Sequence, residues 1–153
     1  MSSACKVSEH RAKVEWQRSG EFRHETYSRN HKIFFNGTSV VGAAAPENIP
    51  KTSATGPGAD PEQAFVAALS ACHMLWFLAL AAQRKWVVES YVDEAVGILD
   101  KTWMSKVTLR PTVSFSGNKP TEDQHAALHH RAHEKCFIAN SVNTEVVVEP
   151  CLK

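Results

Sequence analysis

The chain carries almost no net charge: 17 Lys and Arg stand against 16 Asp and Glu, a formal balance of +1 over 153 residues. Such a balance gives no sign of a strong field for nucleic acid or acidic membranes and is otherwise uninformative. The opening MSSACKVSEHRAK lacks a basic stretch followed by an apolar core, so no secretory signal is read there and the expected compartment is the cytoplasm. Cysteine is scarce, with four in the whole chain. In a reducing compartment structural bridges are not expected, which leaves metal ligation, redox chemistry or plain packing. Neither a CxxC pair nor an HExxH motif is present. Gly56, Pro57 and Gly58 precede a helix, but no Lys-Ser/Thr pair follows, and Asp60 and Glu62 would repel an anion there. Internal repeats and low-complexity segments are missing too.

What is present is ordinary globular material, 43% hydrophobic and 22% charged. A chain of this length buries roughly 70% of its unfolded surface, enough for one core. The expectation is one domain over residues 1–153, with 1–9 flexible.

Residues 10–43 read as strands in an antiparallel meander, because HRAKVEWQ and HKIFFNGTSVVG mix β-branched and aromatic residues while Gly20, Asn36 and Gly37 mark turns. From Ala44 to Ala59, Pro, Gly, Ser and Thr predict a surface loop. A helix then starts sharply, with Asp60 as N-cap, Pro61 where its missing N–H costs nothing, and Gln63 completing a capping box. Its apolar run, Ala64 to Ala82, comes close to the roughly 20 residues that cross a bilayer. Ser70 and His73 interrupt it, alanine dominates it, and it stands alone among polar strands, so burial against the core and a partner subunit is expected instead.

Beyond Arg84 and Lys85, WVVESYVDEAVGILDK and WMSKVTLRPTVSFSG alternate well enough for two strands turning near Lys101. Thr121 with Gln124 repeats the capping box, and Ala126, Leu128 and Ala132 give an apolar face to a second helix ending near Cys136. The tail FIANSVNTEVVVEP reads as a last strand. Strands, helix, strands, helix, strand make an α+β domain.

Cys5 and Cys151 lie at the termini, leaving Cys72 and Cys136 to weigh. Only a thiolate is a good nucleophile, and apolar burial raises a thiol's pKa. Cys72 in its apolar helix is therefore inert unless a cation is brought to it; otherwise it packs as a small apolar residue. Arg29, Lys51, His73 and His133 are the bases available, and arginine suits best, since it stays charged when desolvated and can hold a thiolate and a carboxylate together. His125, His129, His130 and His133 crowd the second helix, and positions 129, 133 and 136 share one face. That spacing admits a transition metal, against the plainer alternative of a solvated histidine-rich face. Phe65, Trp76 and Phe77 offer the other alternative, an apolar pocket in a non-catalytic binding protein. Glu122 and Asp123 sit in a helix first turn, where they complement the dipole.

DPEQAFVAALSACHM (Asp60 to Met74) with AHEKCFIANS (Ala132 to Ser141) resembles the paired signature segments of the OsmC/Ohr family of thiol-dependent peroxidases. The likeness extends from about Val14 to Val148, and Tyr27, Ser28, Arg29, Asn30 and His31 match a subgroup with a Tyr-Ser-Arg-x-His segment. It implies an OsmC-like fold, with antiparallel sheets around a long central buried helix and a second helix, in an intertwined homodimer. It implies Cys72 as the peroxidatic cysteine, Cys136 as the resolving one, and Glu62 as the partner of an arginine beside the reactive sulfur. Arg29 fits the Ohr-like placement of that arginine; the OsmC-like placement offers only Lys51. Phe137 departs from the proline that many relatives carry after the resolving cysteine. A hydroperoxide substrate, a dithiol reductant, lipoyl-dependent or small, and no bound cofactor or metal follow from the same resemblance.

Helix geometry adds two demands. The disulfide step needs the two Cα atoms within roughly 7 Å, so the end of the second helix must pack beside the middle of the first. At about 1.5 Å per residue, Glu62 and Cys72 stand roughly 15 Å apart on a straight helix, too far for one arginine to bridge. Either the helix breaks between them or a two-fold partner supplies Glu62 in trans.

Overall fold

The structure, a computed structural model, describes residues 7–53 and 55–153. Cys5 and residues 1–6 of the stretch expected to be flexible lie outside the described residues. The chain separates into two compact units, Met1–Pro61 and Glu62–Lys153.

The first unit is the expected meander: β1 (Lys13–Glu15), β2 (His31–Phe35) and β3 (Thr38–Gly42), antiparallel in that order. Gly37 takes φ +75° in the tight β2–β3 turn, a conformation that glycine adopts without a Cβ clash. A parallel bridge between Gly42 and Ala59 fastens the loop to β3, with Ala59 N–H donating to Val41 O at 2.9 Å. Val14, Phe35, Val40 and Val41 all remain exposed.

The second unit opens with α1, Pro61–Gln83, unbroken throughout. Its end is a Schellman motif: Trp86 N–H donates to Ala81 O at 3.1 Å and Lys85 N–H to Ala82 O at 2.9 Å. Lys85 holds the left-handed position at φ 59°, where a side chain is strained.

Strands β4 (Val87–Asp93), β5 (Val96–Asp100), β6 (Trp103–Leu109) and β7 (Pro111–Ser116) follow. The sequence suggests one hairpin of two strands, and the turn does fall at Lys101, with φ 56°. Each arm, however, breaks in the middle, so β4 pairs with β7 in one sheet and β5 with β6 in another. The register nonetheless carries across the break, from Asp93↔Pro111 to Val96↔Thr108. Pro111 has no N–H for the ladder, and Asp93 accepts the Arg110 N–H at 2.6 Å through Oδ1 while Ser70 Oγ of α1 donates to its Oδ2 at 2.5 Å. One carboxylate thus ties the bend to the helix. Gly97 lets α1 approach: a Cβ there would meet Val66 Cγ2 at 2.5 Å and Met104 Cε at 2.6 Å.

Helix α2, Glu122–Lys135, starts on the capping box read from the sequence, with Gln124 N–H donating to Thr121 Oγ1 at 3.2 Å and Thr121 N–H to Gln124 Oε1 at 3.0 Å. The tail supplies two strands rather than one, β8 (Glu145–Val148) and β9 (Cys151–Leu152), which join β6 and β7 in parallel. Phe77, Leu80 and Ala81 of α1, Val113 of β7, and Leu128 and Ala132 of α2 form one core cluster. Leu69, Val107 and Leu109 form a second.

The unit covers only part of α1. Leu69, His73, Phe77, Leu80 and Ala81 are buried, whereas 28% of its most apolar window is. By length and composition alone this helix could cross a membrane. Replacing Lys85 with Gly removes the left-handed strain and is expected to raise stability by about 1 kcal/mol, read as a higher urea midpoint at unchanged slope; an unchanged midpoint would show the strain to be negligible.

Candidate functional site

Cys72 lies in the middle of α1, half-buried, and Cys136 is the C-cap of α2, almost wholly buried. Both thiols are free, and they are neighbours: the Cys72 thiol lies near enough to that of Cys136 to help raise its pKa. α2 packs against α1 through Leu128, Ala132 and the His129–His73 bond, which brings its C-terminal end toward the middle of α1.

The C-terminal turn of α2 holds Cys136 in place. Its N–H donates to His133 O at 3.2 Å, its carbonyl accepts from Asn140 N–H at 3.0 Å, and Ala139 N–H points at its sulfur at 3.5 Å. Burial pushes the Cys136 thiol up to about 11, helped by the neighbouring Cys72 and opposed by the Ala139 N–H. At pH 7 only roughly one molecule in ten thousand carries it as thiolate. Such a thiol is a poor first attacker. Phe137, the departure after Cys136, is exposed and stands edge-on against Trp76 at 5.4 Å between ring centroids, with Lys135 Nζ 5.2 Å from the Trp76 ring.

Arg29 belongs to the first unit. Its guanidinium donates to His24 O at 2.9 Å, Ser53 Oγ at 2.7 Å and Tyr27 O at 3.3 Å, and lies 4.0 Å above the Tyr27 ring. Trp16, Phe22 and Tyr27 pack ring to ring at 5.0 to 6.1 Å, and with Val14, Arg29 and His31 they line a cleft of about 400 Å³. The guanidinium is thus already anchored by its own unit, beside exposed aromatic surface. Lys51 sits in an exposed turn. Glu62 lies half-buried in the first turn of α1, and since that helix is continuous, the reading in which it breaks between Glu62 and Cys72 falls away.

The histidines depart from the sequence reading. In place of a solvated face, α2 buries His125 and His129 against α1 and exposes His130, which reaches Glu134 at 3.4 Å. His73 Nε2 bonds His129 Nδ1 at 2.9 Å, and His129 Nε2 bonds His125 Nε2 at 3.2 Å. With both ring nitrogens so engaged, His129 is not a free ligand, and positions 129, 133 and 136 do not converge as a metal set. Among the described residues no three His, Cys, Asp or Glu side chains are grouped to hold a metal. The proposed aromatic pocket also dissolves: Phe77 is fully buried in one cluster and Phe65 packs against the other.

Sequence reasoning passed over this imidazole ladder. The signal was available: His125 and His129 share the stripe of Leu128 and Ala132, and His73 interrupts an apolar run. Phe77 stacks on His129 at 4.2 Å. Burial pulls His73 down to about 4, with His133 contributing, and His129 down to about 3, with His125 and His73 contributing. His125 is lowered by burial as well. Tyr91 of β4, whose hydroxyl is buried without a partner, is pushed up by burial and then by Asp93. His73, His125, His129 and Tyr91 are thus all moved toward their neutral forms.

These shifts set an acid limit. An imidazole held below its ordinary value binds fewer protons folded than unfolded, so its stabilising contribution is complete above about pH 6.5 and is lost as pH falls toward 4. His73 alone contributes on the order of 3 kcal/mol. Urea midpoints are expected to fall steadily from pH 7 to pH 4; a flat profile would contradict a neutral buried ladder.

The family model described as OsmC-like protein matches residues 54–150. An OsmC-like protein of unknown function from Vibrio cholerae is 49% identical, with 94% of this chain and 99% of that one aligned and a TM-score of 0.88. An organic hydroperoxide resistance protein from Legionella pneumophila aligns over 97% of this chain and 98% of its own at 20% identity and TM-score 0.62. The organic hydroperoxide resistance protein OhrB of Bacillus subtilis aligns over 94% and 98% at 18% identity and TM-score 0.56. These last two share the fold. No curated protein sequence matches significantly. With its paired thiols, its long apolar helix and a family match over most of its length, the chain belongs to the OsmC-like family.

Proposed function

We propose that this protein is a thiol peroxidase that reduces organic hydroperoxides through Cys72 and Cys136. The observation that carries the reading is the contact between the two reduced thiols, one of them held protonated, on adjacent helices of an OsmC-like fold. The Legionella and Bacillus neighbours are organic hydroperoxide resistance proteins, which supports the same substrate class.

The Cys72 thiolate attacks the distal peroxide oxygen. The O–O bond breaks, the sulfur is oxidised to a sulfenic acid, and the departing alkoxide takes a proton to leave as an alcohol. Cys136 then closes the S–S bond as the Cys72 S–O bond breaks, and its proton leaves with the hydroxide as water. An external dithiol, small or lipoyl-dependent, takes the disulfide and resets the pair. The cytoplasm, where thiols are kept reduced, is the compartment that suits this cycle.

Arg29 is assigned the role of the cation beside the Cys72 sulfur, with Glu62 as its carboxylate partner. Continuity of α1 supports a homodimer in which Glu62 serves the cysteine of the other copy, and the uncovered apolar side of the helix, with Leu75 at 62% exposure, supports the same arrangement.

Wild-type protein is expected to consume cumene hydroperoxide and form a Cys72–Cys136 disulfide visible by mass spectrometry. Cys72→Ser abolishes turnover, whereas Cys136→Ser allows one turnover and then stalls as a sulfenic acid. A wild type that consumes peroxide without forming that disulfide would overturn the relay. For the dimer, mixing Cys72→Ser with Glu62→Gln and re-equilibrating is expected to restore roughly a quarter of wild-type activity through mixed pairs; no recovery from two inactive parents would place Glu62 in cis.

A further inference from the structure

We infer that His73 and His129 are positioning residues whose hydrogen bond sets the register of α1 against α2 and thereby holds Cys72 and Cys136 within disulfide reach. The inference rests on the reading of those two cysteines as a redox couple.

The argument begins with α1. A helix apolar on every side packs about equally well at several rotations and offsets, because hydrophobic contact is non-directional. Alanines at 64, 67, 68, 71, 79, 81 and 82 sharpen the problem, since small side chains make shallow ridges. Disulfide formation tolerates no such freedom: one turn of slip moves a thiol by about 5.4 Å, beyond the reach of its partner. A directional contact is needed between the same two helices.

The imidazole pair meets that need. His73 follows Cys72 in α1, and His129 lies two turns before Cys136 in α2, so the imidazole bond links the same two helices that carry the thiols. The 2.9 Å bond has its rings parallel within 2°, and both side chains are 0–1% exposed. His125 at 3.2 Å and Phe77 stacked at 4.2 Å fix the tilt of the His129 ring. The cost is visible: His73 Nδ1 is buried and has no partner. Apolar residues of similar volume would avoid that cost, and a buried polar contact kept in a helix interface is the device by which register is specified elsewhere.

The test uses full-length protein and three substitutions. Asn at 129 carries an amide oxygen or nitrogen where imidazole Nδ1 stands and so keeps a partner for His73 Nε2 in either tautomer; Gln reaches the Nε2 position; Leu supplies neither. Each variant is brought to equilibrium with reduced and oxidised glutathione, and the Cys72–Cys136 disulfide fraction is read by mass spectrometry as an effective concentration. His129→Leu and His129→Gln are expected to lower it about tenfold, the loss of one buried hydrogen bond, while His129→Asn stays within about twofold of wild type. Should His129→Leu fail to fold, the Asn and Gln variants decide by themselves. Equal values for Asn and Gln, or a wild-type value for Leu, would overturn the assignment. The glutathione equilibrium requires no peroxidase activity, so a wild type inert toward peroxide would defeat the proposed function and leave this result readable.

Discussion

Helix α1 is apolar around its whole girth, and the rest of the second unit is arranged to give that surface something to pack against. The bent hairpin lays β4 and β5 along it, Gly97 removes a side chain so that the backbone can come close, and α2 closes over Phe77, Leu80 and Ala81. Burial at roughly 25 cal/mol per Å² of apolar surface drives this assembly. It does not choose a rotation. The choice falls to the few polar groups on the helix, Ser70 held by Asp93 and His73 held by His129.

The same dryness decides the chemistry. Every group shifted in the helix contact moves toward its neutral form: Cys136 and Tyr91 upward, His73, His125 and His129 downward, each with burial as the largest cause. In the proposed cycle a protonated Cys136 waits for its partner, and Arg29 is the charge brought to Cys72. Within its own unit Arg29 is braced by bonds to Tyr27 O, Ser53 Oγ and His24 O.

Much of this architecture was legible in the residues. Both helices begin where Pro61 and the Thr121–Gln124 box put them, the Asn36–Gly37 and Lys101 turns fall as read, and the two signature segments pointed to the family the chain belongs to. The misreadings share a cause. The break at Asp93 and Pro111, the sheet switch that follows, and the parallel pairing of β8 and β9 all depend on partners distant in sequence, which alternation along one strand cannot report. The spacing of the α2 histidines leaves a metal set and a solvated face open; burial becomes possible only when α1 offers an imidazole as hydrogen-bond partner.

The sequence by itself determined the kinds of elements, their order and the family, because caps, turn residues and apolar periodicity act over a few residues and need no partner. It also determined which side chains were able to react, since thiol and guanidinium chemistry is intrinsic to the residue. Only the tertiary structure decided that Cys72 and Cys136 are neighbours, that burial raises the Cys136 pKa, and that His73, His129 and His125 line up between the helices. Distance and desolvation are properties of packing, and no local pattern of residues contains them.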